Sequence, residues 1–337
     1  MRLLLTADPG LEDVAADEAG ERGYAPLAIR PHGYGGLLLV EGEGTGSLWT
    51  MRSVHHVAEL LEAGVLAGRT LEDALLALWP LELPELAAGV SFAVRVHRRG
   101  EHAFRSPELE RALGARLVAR YGAPVDLENP DLLLRVDLFQ ERFFVSRQLT
   151  RRPLSRRYPK VYAPPAALKT TVAYGLLRLM GVRGPGRLLD AFTGSGTIAI
   201  EAAQAFPGLE VMGLDKNPRA VEGARANAAA AGVAGVRFFH GDARRLHAFE
   251  DESLDYLTAN PPYGRRLGRQ ENLRALYDRF LAEAERVLRP GGRLGLLVQR
   301  RGWIDPLLKK RPALRRRHVR VVELGGLFVG LFVIERR

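Results

Sequence analysis

Residues Asn260, Pro261, Pro262 and Tyr263 form a tetrapeptide suited to holding the exocyclic amino group of a nucleobase. Such a group offers two N–H donors, and the Asn260 side-chain oxygen and the Pro261 carbonyl can accept one each. The paired prolines stiffen the loop and lack N–H donors of their own. Tyr263 can stack on a flipped-out base. An ordinary Asn-Pro turn is the alternative interpretation. We predict a catalytic site that works by positioning and needs neither a metal nor a strong base.

A second chemical signal is the turn of small residues at 190–197, which passes from a predicted strand into a predicted helix. Such a turn lets backbone N–H groups approach a ligand, and the helix presents its positive N-terminus. A dinucleotide site also uses glycines here, but the third glycine of that pattern is missing. The acid before the turn suits an ammonium group, which favours S-adenosylmethionine. The predicted contacts are Asp190, Phe192, Gly194, Ser195, Gly196 and Thr197.

Two further acids end the next two predicted strands. Asp215 is placed to accept both hydroxyls of a ribose, and Asp242 to accept an adenine amino group. Each acid alone could be a helix cap or a turn residue. Acids at the ends of three successive strands indicate a ligand site, because open α/β sheets bind ligands at that edge. Lys216, Ala243 and Asn260 complete the contacts predicted at these strand ends.

The elements that position these residues alternate between strand and helix from about residue 161 to residue 337. Alternation at this spacing implies an α/β domain with a doubly wound, mostly parallel sheet, and residues 319–335 predict a closing antiparallel hairpin. The other predicted strands are residues 186–191, 209–215, 236–242, 254–260 and 293–299, with helices near 196–206, 217–231 and 271–288.

The first 150 residues carry a different, α+β pattern. Strands are predicted at residues 3–7, 36–40, 91–97, 132–138 and 143–149, and helices after Pro9, Thr70 and Ser106. Thr70 is the predicted cap of its helix, with Asp73 at the reciprocal position. The predicted domains are residues 1–50, residues 51–150 and a C-terminal domain at 163–337, with a linker at 151–162. An alternative boundary places the end of the first domain at about residue 90.

The charge of the chain is concentrated in one stretch. The formal net charge is +10, and residues 142–189 hold eleven basic residues and no acid, whereas residues 1–90 hold 5 basic and 14 acidic residues. A basic band of this kind suggests a polyanion, most simply nucleic acid. Solvated surface arginines are the alternative. The predicted contacts are Arg151, Arg152, Arg156, Arg157 and Lys160, joined by Arg265, Arg266 and Arg269 beyond the tetrapeptide.

Several classes of protein are excluded by what the 337 residues lack. Without cysteine there is no disulfide scaffold, thiolate nucleophile or Cys-based metal site. No two histidines have the spacing of a helical metal site, so we expect no metal. The N-terminus does not resemble a signal peptide, and no apolar run reaches the length of a membrane helix. We therefore expect a cytoplasmic protein.

Residues 161–337 resemble the Rossmann-like methyltransferases of exocyclic amino groups. The aspartate–proline–phenylalanine–cysteine–glycine–serine–glycine–threonine box of that family is present at residues 190–197, with Ala191 and Thr193 replacing the proline and the cysteine. Residues 102–107 and 125–131 resemble a THUMP domain, an RNA-binding module that follows a ferredoxin-like region and directs the enzyme to the 3′ end of its RNA. The resemblance also implies that Tyr162 borders the cofactor pocket and that Arg105 contacts RNA.

The combined resemblance covers nearly the whole chain and is most similar to tRNA guanosine methyltransferases. It implies S-adenosylmethionine-dependent formation of N(2)-methylguanosine at position 6 of the acceptor stem. No obligate protein partner is evident in the sequence, so we expect a monomer. The 23S rRNA guanine-N(2) methyltransferases share the same parts, and relatives that act on position 10 of tRNA usually carry aspartate where Asn260 stands. The residues alone do not distinguish guanine from adenine.

Three other classes share parts of this pattern. A DNA adenine or cytosine methylase can use the same tetrapeptide, but a THUMP module is not expected in it. A protein glutamine methylase shares the tetrapeptide, yet its substrate does not explain the basic band. A non-catalytic RNA-binding protein would tolerate decay of the glycine turn, which is intact here.

Overall fold

The computed structural model describes residues 1–165, 167–263 and 271–337. The chain divides into two compact units, each built on a seven-stranded sheet. The first unit is Met1–Ala7 with Ala15–Leu154, and the second is Asp8–Val14 with Ser155–Arg337. A division at residue 50 therefore falls inside the first sheet, and the segment predicted as a linker is shared between the units.

The N-terminal sheet has the strand order β2-β3-β1-β4-β7-β6-β5. Its neighbouring strands are antiparallel except for the parallel pair β5 and β6. The strands are β1 (Arg2–Ala7), β2 (Ala25–Ile29), β3 (Leu37–Glu41), β4 (Val54–Val65), β5 (Phe92–Arg99), β6 (Leu132–Phe139) and β7 (Arg142–Gln148), and the helices are α1 (Glu12–Gly20), α2 (Leu71–Leu78) and α3 (Ser106–Tyr121).

Local signals in the sequence explain where two of these helices begin. The Thr70 hydroxyl accepts the Asp73 N–H at 3.2 Å, and the Asp73 carboxylate accepts the Thr70 N–H at 2.9 Å, so the predicted reciprocal cap of α2 is confirmed. Helix α3 has proline in its first turn, where a missing N–H costs nothing. Its leucines Leu109, Leu113 and Leu117 share one face and are buried against the sheet.

The C-terminal sheet has the order β10-β9-β8-β11-β12-β14-β13. The first five strands are parallel, and β14 runs antiparallel to β12 and β13, so the predicted parallel sheet with a closing hairpin is confirmed. The strands are β8 (Gly186–Asp190), β9 (Leu209–Asp215), β10 (Arg237–His240), β11 (Leu254–Ala259), β12 (Leu288–Val298), β13 (Leu314–Leu324) and β14 (Leu327–Arg336), and the helices are α4 (Thr170–Leu179), α5 (Thr197–Ala205), α6 (Pro218–Ala230), α7 (Glu271–Val287) and α8 (Ile304–Leu308).

Both faces of this second sheet are covered by helices. Successive residues of β8 point to opposite faces, so Leu188 packs with α4 and α5 whereas Leu189 packs with α7. The chain winds from β8 to β9 on one side and reaches β11 on the other. Because the strand order reverses at β8, the crevice beyond the carboxyl ends of β8 and β11 is the expected place for a ligand.

Helix α4 and strands β2 and β4 were not predicted from the sequence. Residues Thr170 to Leu177 of α4 are all buried. The β-branched residues 170–172 and Gly175 are weak helix formers, so propensity does not indicate a helix here. Strand β4 carries two adjacent histidines, His55 and His56, which interrupt its apolar pattern. Of the helices described, none combines the length and the hydropathy that crossing a bilayer requires.

Candidate active site

A cavity of about 760 Å³ opens in the second unit at the carboxyl ends of β8, β9 and β11. It is the crevice that the reversal of strand order creates. Ten of the residues predicted to contact a cofactor line it, namely Asp190, Phe192, Gly194, Ser195, Thr197, Asp215, Lys216, Asp242, Ala243 and Asn260. The two chemical signals of the sequence therefore meet in one cavity.

The turn between β8 and α5 requires glycine at two positions. Gly194 and Gly196 have φ values of +50° and +81°, in the left-handed region that side chains disfavour. A Cβ on Gly196 would lie 3.1 Å from the Cβ of Ala224, so Gly196 also lets α6 approach the turn. The Thr193 N–H donates to the Leu214 carbonyl at 2.9 Å and ties the turn to β9. Gly196 is thus a packing residue and is not among those that line the cavity.

Asp190 ends β8 as a buried carboxyl, exposed by only 1%. No donor in the described residues reaches either of its oxygens with hydrogen-bond geometry. Burial raises the pKa of Asp190 to about 7, and the nearby hydroxyls of Thr193 and Thr258 lower it only in part. A buried carboxyl that lines a cavity and that these hydroxyls stabilise only in part fits a cationic group, such as the ammonium of S-adenosylmethionine.

Asp215, at the end of β9, is oriented by the backbone. One of its oxygens accepts the Gly194 N–H and the other accepts the Asn217 N–H, each at 2.9 Å. A carboxylate offers about four lone-pair directions, so each oxygen retains capacity for one more donor. This arrangement suits the pair of hydroxyls on a ribose.

Asp242 follows β10 and is paired with an arginine that the sequence analysis did not single out. The Arg244 Nε donates to both carboxylate oxygens, at 2.9 and 3.0 Å. The hydrogen bond from Arg244 lowers the pKa of Asp242 to about 2. Arg244 also lines the cavity. Asp242 is therefore ionised across the physiological range of pH. The backbone N–H and the guanidinium of Arg244 already place two donors on each of its oxygens, so a further donor requires Arg244 to move.

Asn260 directly follows β11 and lines the cavity. In the sheet, β8 and β9 separate β11 from β10, the strand that Asp242 follows. The side-chain oxygen of Asn260 accepts the hydroxyl of Tyr263 at 2.6 Å. Burial raises the pKa of Tyr263 far above its usual range, so this phenol remains a donor. Pro262 lines the cavity, whereas Pro261 is buried and is not among the lining residues. The tetrapeptide thus closes a hydrogen bond within itself.

Tyr162 does not line this cavity. Its backbone N–H and carbonyl both bond the side chain of Asn227, at 2.9 and 2.7 Å, and its ring lies over Gly223. The cavity wall is built instead by residues further along the same segment and on α7. These additional lining residues are Pro164, Ala167, Leu168, Leu273 and Leu276. On α7 the spacing of three residues between the two leucines is the signal that places both on one helix face.

The predicted nucleic-acid contacts divide into exposed and internal cations. Arg105, Arg151, Arg152 and Arg156 are exposed. Arg157 and Lys160 are turned inward, which differs from the prediction. Arg157 pairs with the buried Glu201 at 3.1 Å, and the Lys160 ammonium donates to the Leu168 carbonyl and the Thr197 hydroxyl. Arg265, Arg266 and Arg269 lie outside the described residues.

Other cations of the basic band also pair with acids. Arg147 bonds Glu85 at 2.6 Å, Lys169 bonds Asp8 at 2.7 Å and Arg187 bonds Glu210 at 3.2 Å. The absence of acids within the band is therefore a feature of the sequence alone. In the folded chain, acids from elsewhere neutralise part of it.

Two family models match the chain. One, described as RMKL-like, methyltransferase domain, covers residues 156–329, and the other, described as THUMP domain, covers residues 71–147. The second match falls in the first unit and the first match in the second unit. The catalytic cavity and the RNA-binding module are thus separate parts of one chain.

Relatives of known activity match over the full length. The chain is 42% identical over 347 residues to the tRNA (guanine(6)-N2)-methyltransferase of Thermus thermophilus, covering 100% of both chains. It is 31% identical to the enzyme of the same name from Archaeoglobus fulgidus, covering 99% of this chain and 92% of that one. The crystal structure of TrmN from Thermus thermophilus superposes with a TM-score of 0.84 at 39% identity, covering 100% of this chain and 99% of that one.

Proposed function

The chain belongs to the family of RMKL-like methyltransferases that carry a THUMP domain, and from that membership we propose that it methylates the 2-amino group of a guanosine in tRNA. The product is N(2)-methylguanosine, and the proposed target is position 6 of the acceptor stem, as the names of the full-length relatives state for those enzymes. The methyl donor is S-adenosylmethionine.

One observation carries this proposal: Asn260 and the strand-end acids line the same cavity. S-adenosylmethionine, when bound, supplies an electrophilic methyl group on a sulfonium. Asp190 would hold its ammonium and Asp215 its ribose hydroxyls, and Asp242 would accept its adenine amino group once Arg244 releases one oxygen. The charge or the acceptor oxygens of each acid match the group that it would hold.

Asn260 orients the nitrogen that is to be methylated. The side-chain oxygen of Asn260 and the carbonyl of Pro261 accept the two N–H groups of the target amine and aim its lone pair at the cofactor end of the cavity. The Tyr263 hydroxyl occupies one of the two lone pairs of the Asn260 oxygen, so the other is available to the amine. A rotation of Tyr263 would free the first lone pair as well and make the ring available to stack on the base.

The first unit and the exposed cations select the RNA. The THUMP match places an RNA-binding module in the first unit, and we propose that it holds the 3′ end of the acceptor stem. Arg105, Arg151 and Arg152 in that unit, and Arg156 in the second unit, are exposed and suited to contact phosphates. Phosphate contacts fix the register of the RNA but carry no sequence information, so the target base is selected in the cavity.

The decisive experiment is methylation of defined RNAs followed by nucleoside mass spectrometry. Unmodified tRNA with guanosine at position 6 is incubated with labelled S-adenosylmethionine, next to the same tRNA with adenosine at that position. We expect N(2)-methylguanosine in the first RNA and no label in the second. Equal labelling of both would move the target to another position. Label in 23S rRNA and none in tRNA would show that the substrate class is wrong.

A further inference from the structure

A buried amide outside the cavity lining reaches both walls of the cofactor site. Asn227, on α6, is fully buried. Its side-chain nitrogen donates to the Ser195 carbonyl at 2.9 Å and to the Tyr162 carbonyl at 2.7 Å, and its oxygen accepts the Tyr162 N–H at 2.9 Å. Ser195 belongs to the glycine turn. Tyr162 belongs to the segment of residues 155–165 that precedes α4, which we name the strap.

Two ionic groups attach the strap to α5. The Nε of Arg157 bonds Glu201, which is 0% exposed, at 3.1 Å. The Lys160 ammonium donates to the Thr197 hydroxyl at 3.2 Å. Both acceptors are on the helix that the glycine turn opens. Together with Asn227 on α6, these contacts with α5 fix the strap to two helices of the second unit.

Each wall that Asn227 holds contributes to the cavity. Ser195 lines it directly, and the strap leads into a wall formed by Pro164, Ala167 and Leu168. The side-chain amide of Asn227 thus links the turn directly to the strap. Because Asn227 is buried, loss of its donor would leave two carbonyls without a partner, and the two walls would have to separate or reach for water.

We propose that Asn227 is a positioning residue for the cofactor: it holds the Ser195 turn and the strap at the separation that the cofactor requires. This inference rests on the proposed function, since it takes the ligand of the cavity to be S-adenosylmethionine. It assigns to Asn227 no contact with the cofactor or with RNA. Its effect should therefore appear in cofactor binding and leave the chemical step unchanged.

The substitution Asn227→Asp tests this with almost no change of shape. It retains the oxygen that accepts the Tyr162 N–H and replaces the donor with an oxygen that faces two carbonyls. We expect the Kd for S-adenosylhomocysteine, measured by calorimetry, to rise about tenfold or more. The KM for S-adenosylmethionine should rise in parallel, whereas kcat and the cofactor-free affinity for tRNA should stay within about twofold of wild type.

The matched control is Gln204→Glu. Gln204, on α5, also donates its side-chain amide to a backbone carbonyl, that of Ala231 at 3.1 Å, and does not line the cavity. The same chemical exchange there should leave the Kd for S-adenosylhomocysteine unchanged. An equal loss of affinity in both variants would overturn the proposal, because it would show a general effect of replacing an amide donor with a carboxylate in these helices.

A second pair of variants moves the strap without altering Asn227. A Cβ on Gly223 would lie 2.2 Å from the Tyr162 Cγ, so Gly223→Ala must displace the ring and the strap with it. We expect weaker binding of S-adenosylhomocysteine, and recovery of affinity when Tyr162→Ala is added. This pair decides the question if Asn227→Asp does not fold. Failure of the second change to restore affinity would overturn the proposal.

The outcomes for the two proposals are distinct. Wild-type binding of S-adenosylhomocysteine together with unchanged affinity in a folded Asn227→Asp variant overturns the positioning role alone. A wild-type chain that does not bind S-adenosylhomocysteine overturns the proposed function and the positioning role with it.

Discussion

The two ends of the cavity hold their polar groups in different ways. At the cofactor end, Asp215 is fixed by the backbone N–H groups of Gly194 and Asn217. At the catalytic end, the oxygen of Asn260 is held by Tyr263, a neighbour in the same tetrapeptide. The acceptor at the cofactor end is fixed by the backbone, whereas the acceptor at the catalytic end is held by a side chain that must itself move to stack on the base. Variants at the two ends should therefore separate binding from turnover.

The largest effect is expected for Asn260→Ala. The change removes an acceptor of the target amine and leaves the three strand-end acids in place, so kcat should fall by about 10²–10³-fold. The affinity for S-adenosylhomocysteine should remain within about twofold of wild type. Single-turnover methylation and calorimetry measure the two quantities. A variant with full methylation activity would refute the role of Asn260. Equal losses of kcat and of affinity for S-adenosylhomocysteine would show that the two ends of the cavity do not act separately.

Tyr263 should separate the role of its ring from that of its hydroxyl. Tyr263→Ala removes the stacking surface, and kcat/KM for tRNA should fall about tenfold to a hundredfold. Tyr263→Phe retains the ring and frees the oxygen of Asn260, so kcat/KM should stay within about threefold of wild type or exceed it. Steady-state kinetics with varied tRNA gives both values. Equal losses in the two variants would assign the function to the hydroxyl.

The cofactor end should respond to pH through Asp190. Burial raises the pKa of this carboxyl to about 7, so it is neutral below that pH and anionic above it. The affinity of wild type for S-adenosylhomocysteine should therefore rise as the pH increases through about 7. Asp190→Asn should bind about tenfold more weakly at pH 8 and lose this dependence. Calorimetry between pH 6 and 8 compares the two proteins, and identical pH profiles would contradict the role of Asp190.

The same substitution should raise stability. Because the folded-state pKa of Asp190 lies above the unfolded value of about 3.9, the folded chain binds the proton more tightly, and the free energy of unfolding falls as the pH rises between the two values. Asp190→Asn removes that loss. At pH 8 its melting temperature in the absence of cofactor should exceed that of wild type by on the order of a few degrees. A lower melting temperature would make Asp190 a structural residue.

Sequence reasoning located the site because topology fixes it. Asp190, Asp215 and Asn260 end three strands of one parallel sheet, and the carboxyl ends of such strands share an edge whatever the side chains are. The side chains that bond the polar groups of this site could not be predicted from the sequence. Arg244 on Asp242, and Asn227 between the turn and the strap, depend on side-chain directions that only the packed helices determine. Helix α4 was missed for a different reason, since the β-branched residues 170–172 and Gly175 are weak helix formers whose propensity is overridden by packing.

Two neighbouring arginines of the strap allow a second comparison, between a side chain that pairs inside the protein and one that is exposed and can contact RNA. Arg156 is exposed, whereas Arg157 pairs with the buried Glu201. Arg156→Ala should weaken tRNA binding about threefold and reduce the slope of log affinity against log salt by about 0.9, as expected for one lost phosphate contact. Fluorescence anisotropy at several salt concentrations measures this slope.

Arg157→Ala should leave the slope unchanged and lower the melting temperature, because it leaves the carboxylate of Glu201 buried without its guanidinium. A reduced slope in both variants would show that the inward arginine also meets RNA, and a reduced slope in neither would remove the strap from the RNA-binding surface.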